Sequence, residues 1–167
     1  SVANKGNTVA AKTLTAQIAP LLVVGQPALA DKIESASQAI SKHYWDIGFA
    51  NVRIRAPKPV AGPNALVFTI DEGPKFKIGK IEITGDLPKA DHAKYLKLFG
   101  VKRGDLFSRT KIAEGRDKMT AAIVASGKPN AIVLPLTKVD LPKRTIDFTL
   151  EVSGGKSRGT AARGDVL

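Results

Sequence analysis

Cysteine is absent from the 167-residue chain, and with it go disulfides, thiolate metal sites and cysteine nucleophiles. Such a chain fits any compartment but suits an oxidising one, where a stray thiol is a liability. Histidine is nearly absent too: His43 and His92 lie far apart with no ligand-type spacing around them. Metal catalysis and a Ser-His-Asp site are therefore not expected, and each histidine reads as an ordinary helix-surface residue. Aromatic residues make up 5% of the chain, so a base-stacking platform has little to draw on. No apolar run approaches the ~20 residues that a membrane-spanning helix needs. The opening Ser1-Val2-Ala3-Asn4-Lys5 lacks the basic start and apolar stretch of a secretory signal, so none is expected there. Acidic residues are scarce: 15 Asp and Glu stand against 26 Lys and Arg, a formal charge of +11. That excess invites a nucleic-acid or anionic-membrane reading. What is present is aliphatic: a 43% hydrophobic share can bury a core, so the chain is not a disordered polybasic tail.

An internal repeat organises the rest. A shift of 79 residues lays Gly6 on Gly85, Gly25 on Gly104, Lys32 on Lys111 and Ile33 on Ile112. The same shift lays Ile40 on Met119, Gly48 on Gly127, Asn51 on Asn130 and Ile54 on Val133. One further residue between the second and third strands then brings Phe68-Thr69-Ile70 onto Phe148-Thr149-Leu150. Single matches are weak, but chance would scatter the offsets. The chain is two copies of one unit.

Each copy reads as strand, helix, helix, strand, strand. In the second, Phe76–Ile83 is the first strand, with a change of apolar phase that puts a bulge or kink at Gly79 and a turn at Gly85-Asp86. A helix through Tyr95, Leu96 and Phe99 is broken by Val101–Asp105. Ser108 suits the N-cap of the next helix, which packs through Ile112, Met119 and Ile123. Its counterpart is expected to begin at Asp31 with Glu34 as capping-box partner, and to bury Ile33, Ala36, Ile40 and Tyr44. Gly48 and Gly127 fall where left-handed helix caps belong. Val52–Arg55 alternates, and so do the closing strands, with Leu66, Phe68 and Ile70 inward in one copy and Ile146, Phe148, Leu150 and Val152 inward in the other. The fold class is α+β: two consecutive β-α-α-β-β domains, each a three-stranded sheet covered on one face by two helices. By the repeat period the first copy's opening strand would start before Ser1, so that strand is expected to be truncated.

The segment Asp71-Glu72-Gly73-Pro74-Lys75-Phe76-Lys77-Ile78-Gly79-Lys80-Ile81-Glu82-Ile83-Thr84-Gly85-Asp86 resembles the junction between consecutive POTRA domains. There an E-G-P end runs into the next domain's I-x-x-I-x-I-x-G-N strand. Tyr44–Val52, which reads Y-x-x-x-G-F-x-x-V, is similar to the family's Y-x-x-x-G-Y/F segment, and Gly104–Ser108 to its G-x-x-F/Y-S element. The resemblance covers residues 1–153, with departures at Ala122–Pro129 and Val2–Lys5. It implies POTRA domains over 1–74 and 75–153, and a flexible tail or truncated junction over 154–167. Tandem domains of this kind occur in outer-membrane β-barrel assembly and translocation proteins of the BamA and TamA type. The resemblance therefore implies a periplasmic arm of an outer-membrane protein in a Gram-negative-type bacterium, with no enzymatic activity and no cofactor. Its implied partners are unfolded outer-membrane protein clients and accessory assembly subunits.

In that family the second strand is the exposed sheet edge, and an open edge can pair with an extended peptide. The edges here are Asn51, Val52, Arg53, Ile54 and Arg55 in one copy and Asn130, Ala131, Ile132, Val133 and Leu134 in the other. Arg53 and Arg55 guard the first against unwanted pairing, whereas the apolar second is the favoured partner surface. The bland alternative is a core strand with a covered edge. Charge divides as +3 over 1–75, +6 over 76–153 and +2 over 154–167. Lys94, Lys97, Lys102, Arg103, Arg109 and Lys111 form a candidate lipid-facing set for contact with an anionic membrane surface. Interspersed Asp91, Asp105, Glu114 and Asp117 suggest a solvated helix face instead. A basic nucleic-acid-binding module is the rival class. No two glycines stand three apart as a G-x-x-G clamp requires, so no nucleic-acid partner is expected. Nor is there a nucleotide-binding glycine fingerprint, and the paired carboxylates Asp71-Glu72 read as structural.

Overall fold

The computed structural model describes residues 2–3, 8–55, 57 and 66–154. The landmark Gly6, most of the loop before the first copy's last strand, and the tail from 155 onward lie outside the described residues. The chain divides into two compact units, Ser1–Lys77 with Leu106–Arg109, and Ile78–Asp105 with Thr110–Leu167.

The first unit contains β1 (Val2–Ala3), α1 (Ala11–Ile18), α2 (Ala30–Asp46), β2 (Arg53–Arg55) and β3 (Phe68–Asp71). Its three-stranded sheet has the order β1-β3-β2, with β1 parallel and β2 antiparallel to the central β3. The expected stripe of α2, Ile33, Ala36, Ile40 and Tyr44, is buried against Leu14, Ile18, Phe49, Phe68 and Ile70. Residues four or so apart on a helix share one face, which is why this spacing seals one side of the sheet. The capping box does not form. The non-helical N-cap position falls on Leu29 (φ −72°, ψ 154°) and carries no side-chain cap bond, so Asp31 lies inside the first turn. An acidic residue in the first turn still interacts favourably with the positive end of the helix dipole.

Glu72 ties the unit's ends together. Its carboxylate accepts from the Thr8 amide at 2.7 Å, the Thr8 hydroxyl at 3.0 Å and the buried Tyr44 hydroxyl at 2.9 Å. The Leu106–Arg109 segment belongs to this unit through similar local bonds: Phe107 N donates to Phe76 O at 3.0 Å, and Ser108 Oγ to Asp46 Oδ1 at 3.1 Å.

The second unit is built on β4 (Lys77–Gly85), α3 (His92–Phe99), α4 (Arg109–Ala125), β5 (Ile132–Asp140) and β6 (Thr145–Ser153), with sheet order β4-β6-β5. A short 3-10 turn, Lys89–Asp91, leads into α3. β4 is shifted slightly from the expected span, and its burial changes phase at Gly79 as the sequence implied. The Asp147 carboxylate takes the Lys80 amide at 2.7 Å there, in the space that a Gly79 side chain would fill. α3 runs through Tyr95, Leu96 and Phe99 as the sequence suggested, and Gly100 caps it in the left-handed region (φ 72°). α4 buries Ile112, Gly115, Met119 and Ile123. β6 alternates as expected, with Ile146, Phe148, Leu150 and Val152 buried. Gly48 and Gly127 adopt φ values of 102° and 99° just beyond α2 and α4, the left-handed cap that glycine enters without a Cβ clash.

Candidate functional site: two sheet edges and a basic groove

In both sheets the second strand lies at an edge, because the closing strand takes the centre. The two edges differ in length and chemistry. β2 pairs over three residues, Arg53 with Asp71, Ile54 with Ile70 and Arg55 with Thr69. Its two arginines are exposed, while Val52 and Ile54 are half-buried and Asn51 lies exposed in the preceding turn. Charge on a short edge strand discourages further pairing.

β5 runs for nine residues and pairs throughout with β6, from Ile132 opposite Ser153 to Asp140 opposite Thr145. Asn130 precedes it in an exposed turn, and Ala131 and Val133 are buried. Ile132 and Leu134 face outward, 62% and 52% exposed, and Leu136 continues the same row at 46%. Sequence reading ended this edge at Leu134. The strand nevertheless continues through Pro135, which pairs opposite Leu150. Proline fits an edge strand when its nitrogen points away from the neighbour, since no ladder bond is then lost. By alternation the amides of Val133 and Thr137 then also point outward, flanking the missing donor. The signal for the extension was the apolar alternation 132, 134, 136, which resumes beyond the proline.

The six basic candidates have different local surroundings. Lys94 stacks over the Tyr95 ring at 5.3 Å. Arg109 belongs to the first unit, where its guanidinium lies 4.4 Å from the Trp45 ring centroid. Lys111 is exposed on α4. Lys97, Lys102 and Arg103 converge on a groove of about 470 Å³, which Lys80, Ile81, Leu96 and Val101 complete. Sequence reasoning missed Lys80, which is distant in the chain and reaches the groove from β4. Of the two histidines, His43 shares a 2.8 Å contact with the Gln17 amide and His92 lies 3.2 Å from Leu87 O. Among the described residues no helix is long and apolar enough to cross a membrane, and no cluster of His, Cys, Asp and Glu could hold a metal.

Two sheets of identical strand order, each closed by its central last strand and backed by two helices, define a tandem α+β repeat module. The POTRA family model, described as surface antigen variable number repeat, matches residues 1–73 and again 76–155, and the chain belongs to that family. Among curated proteins it is 26% identical over 122 residues to the outer membrane protein assembly factor BamA of Nitratidesulfovibrio vulgaris. That match takes in 70% of this chain but only 15% of the relative's length. Its fold is similar to POTRA domains 3–5 of Haemophilus influenzae BamA, with a TM-score of 0.67 at 23% identity over 93% of this chain and 65% of the other. It is also similar to POTRA domains 1–2 of the periplasmic domain of Omp85 from Anabaena, with a TM-score of 0.56 at 18% identity and 92% coverage of both.

Proposed function

We propose that the chain acts as part of the periplasmic arm of an outer-membrane β-barrel assembly or translocation protein, as a non-enzymatic scaffold that receives unfolded client strands and accessory subunits. The observation that carries this reading is the β5 edge. It is nine residues long, ends its sheet and bears an exposed row of Ile132, Leu134 and Leu136. Strand addition draws its affinity from main-chain bonds and is nearly indifferent to side chains, which suits a receptor for many different β-strands. The apolar row offers the alternate residues of such a strand a surface to cover. The β2 edge, Asn51–Arg55, is the secondary surface, restricted by its arginines. Membership in a family that includes an assembly factor, and a cysteine-free composition suited to an oxidising space, point the same way.

The test is titration of the chain with a fluorescent peptide copied from an amphipathic strand of an outer-membrane barrel. Val133→Pro removes an outward donor, and Thr137→Pro does so at an exposed side chain that the core does not use. Each is expected to weaken binding at least tenfold while the circular dichroism stays unchanged. Wild-type affinity in both folded variants would refute pairing at this edge.

A further inference from the structure

The groove in the second unit has a chemistry that the client edge does not need. Its floor is aliphatic, Ile81 from β4, Leu96 from α3 and Val101 from the following loop, and its rim is four cations, Lys80, Lys97, Lys102 and Arg103. The loop is held in place by backbone bonds: Gly104 N donates to Ile78 O and Ile78 N to Asp105 O, each at 2.8 Å. The Asp105 carboxylate in turn takes the Lys102 amide at 2.8 Å. The groove is thus pre-formed.

Its charge is largely uncompensated. Lys80 pairs with Glu82 at 2.5 Å, but among the described residues Lys97, Lys102 and Arg103 are in no ion pair. The fold does not demand cations there. At the 79-residue offset, Lys97, Lys102 and Arg103 fall on Ile18, Val23 and Val24 of the first copy, while Val101 falls on Leu22. The apolar floor residue is common to both repeats and the basic rim is particular to the second.

We infer that this groove binds the headgroup and upper acyl segment of an anionic phospholipid at a membrane surface. Lys and Arg stems can lie along an apolar floor while their charged ends meet phosphate. The lining offers no carboxylate, amide or hydroxyl side chain to select a particular peptide sequence. That favours a ligand whose polar part is a simple anion and whose remainder is hydrocarbon. The set differs from the six basic residues singled out in sequence, because Lys80 joins it and Lys94, Arg109 and Lys111 do not.

The test is vesicle flotation of the full 167-residue chain with phosphatidylcholine vesicles, with and without 30% phosphatidylglycerol, at low salt. Binding is expected only with the anionic lipid. The triple variant Lys97→Ala, Lys102→Ala, Arg103→Ala is expected to bind roughly 100-fold more weakly, at about fivefold per basic residue. An equal charge loss elsewhere, Lys12→Ala, Lys32→Ala, Lys42→Ala, is expected to stay within about threefold of wild type. In parallel, soluble dihexanoylphosphatidylglycerol is expected to shift the amide resonances of residues 81, 96 and 101–103, and inorganic phosphate not to. Equal binding to neutral vesicles, or an equal loss in both triple variants, would overturn the inference. So would groove amides that respond to an acidic leucine-rich peptide and not to the lipid, which would assign the groove to a protein partner. The Thr137→Pro edge variant should bind vesicles normally, so the two sites can fail separately.

Discussion

Gly115 shows how tightly single positions are constrained. It lies mid-helix in α4, where alanine is intrinsically better by about 1 kcal/mol. A Cβ there would sit 2.1 Å from the Phe99 carbonyl oxygen and 2.9 Å from its ring. Backbone at that distance cannot yield, so overpacking outweighs propensity. Gly115→Ala is expected to lower stability by roughly 1–3 kcal/mol, read as a fall in the midpoint of urea unfolding. Tyr44→Phe is the milder counterpart. It keeps the buried ring, which meets Phe49 edge-on at 5.5 Å, and removes the hydroxyl's 2.9 Å bond to Glu72. A loss of about 1 kcal/mol is expected in the same measurement. A null result would mean that Glu72 holds the unit through Thr8 alone.

At the scale of elements, the β5–β6 hairpin carries the most information. Its turn, Leu141–Arg144, holds Arg144 at φ 52°. The Asp140 carboxylate caps that turn by accepting the Lys143 amide at 3.0 Å, with the Lys143 ammonium 3.4 Å away. The Lys143 amide bond holds its pKa below the ordinary value of 3.8; burial opposes this, and the Lys143 side-chain bond and the Lys143 and Lys138 charges add to the lowering. A carboxyl depressed in the folded state stabilises it fully above its unfolded pKa, and that contribution disappears as pH falls through the folded value. Protection of the Lys143 amide from hydrogen exchange is therefore expected to hold from neutral pH down to about 4 and to weaken below it. Asp140→Asn should remove that pH dependence.

At the scale of the whole chain, the two repeats carry separate hydrophobic cores. The cluster from Val9 to Ile70 lies entirely in the first copy, and Phe76 to Val152 supply the rest of the buried apolar residues. A fragment of residues 76–155 is accordingly expected to unfold cooperatively on heating, with helical circular dichroism retained beforehand. A non-cooperative melt would show that the second copy depends on the first. Segment 106–109 is the place to look for such dependence, since it is grouped with the first unit.

Much of this was legible in the linear chain, for identifiable reasons. Periodicity is set locally: alternation in β6 and the near-3.6 spacing of Ile33, Ala36, Ile40 and Tyr44 follow from strand and helix geometry, so their burial could be read directly. The 79-residue register made each repeat a check on the other. Features that depend on residues meeting through space were not readable. Asp31 looked like a cap because capping residues are recognised by type, but the backbone angles place the cap at Leu29. That β5 continues through Pro135 was not readable, because only the neighbour across the sheet shows which way the proline nitrogen can face. Lys80 joined Lys97, Lys102 and Arg103 only when β4 and the loop after α3 were bonded together. Sequence alone carried the repeat through its 79-residue register, the family resemblance through its motifs, and the inward faces through local periodicity. Tertiary structure decided the length of the free edge and the membership of the basic groove, because both depend on which distant segments are neighbours.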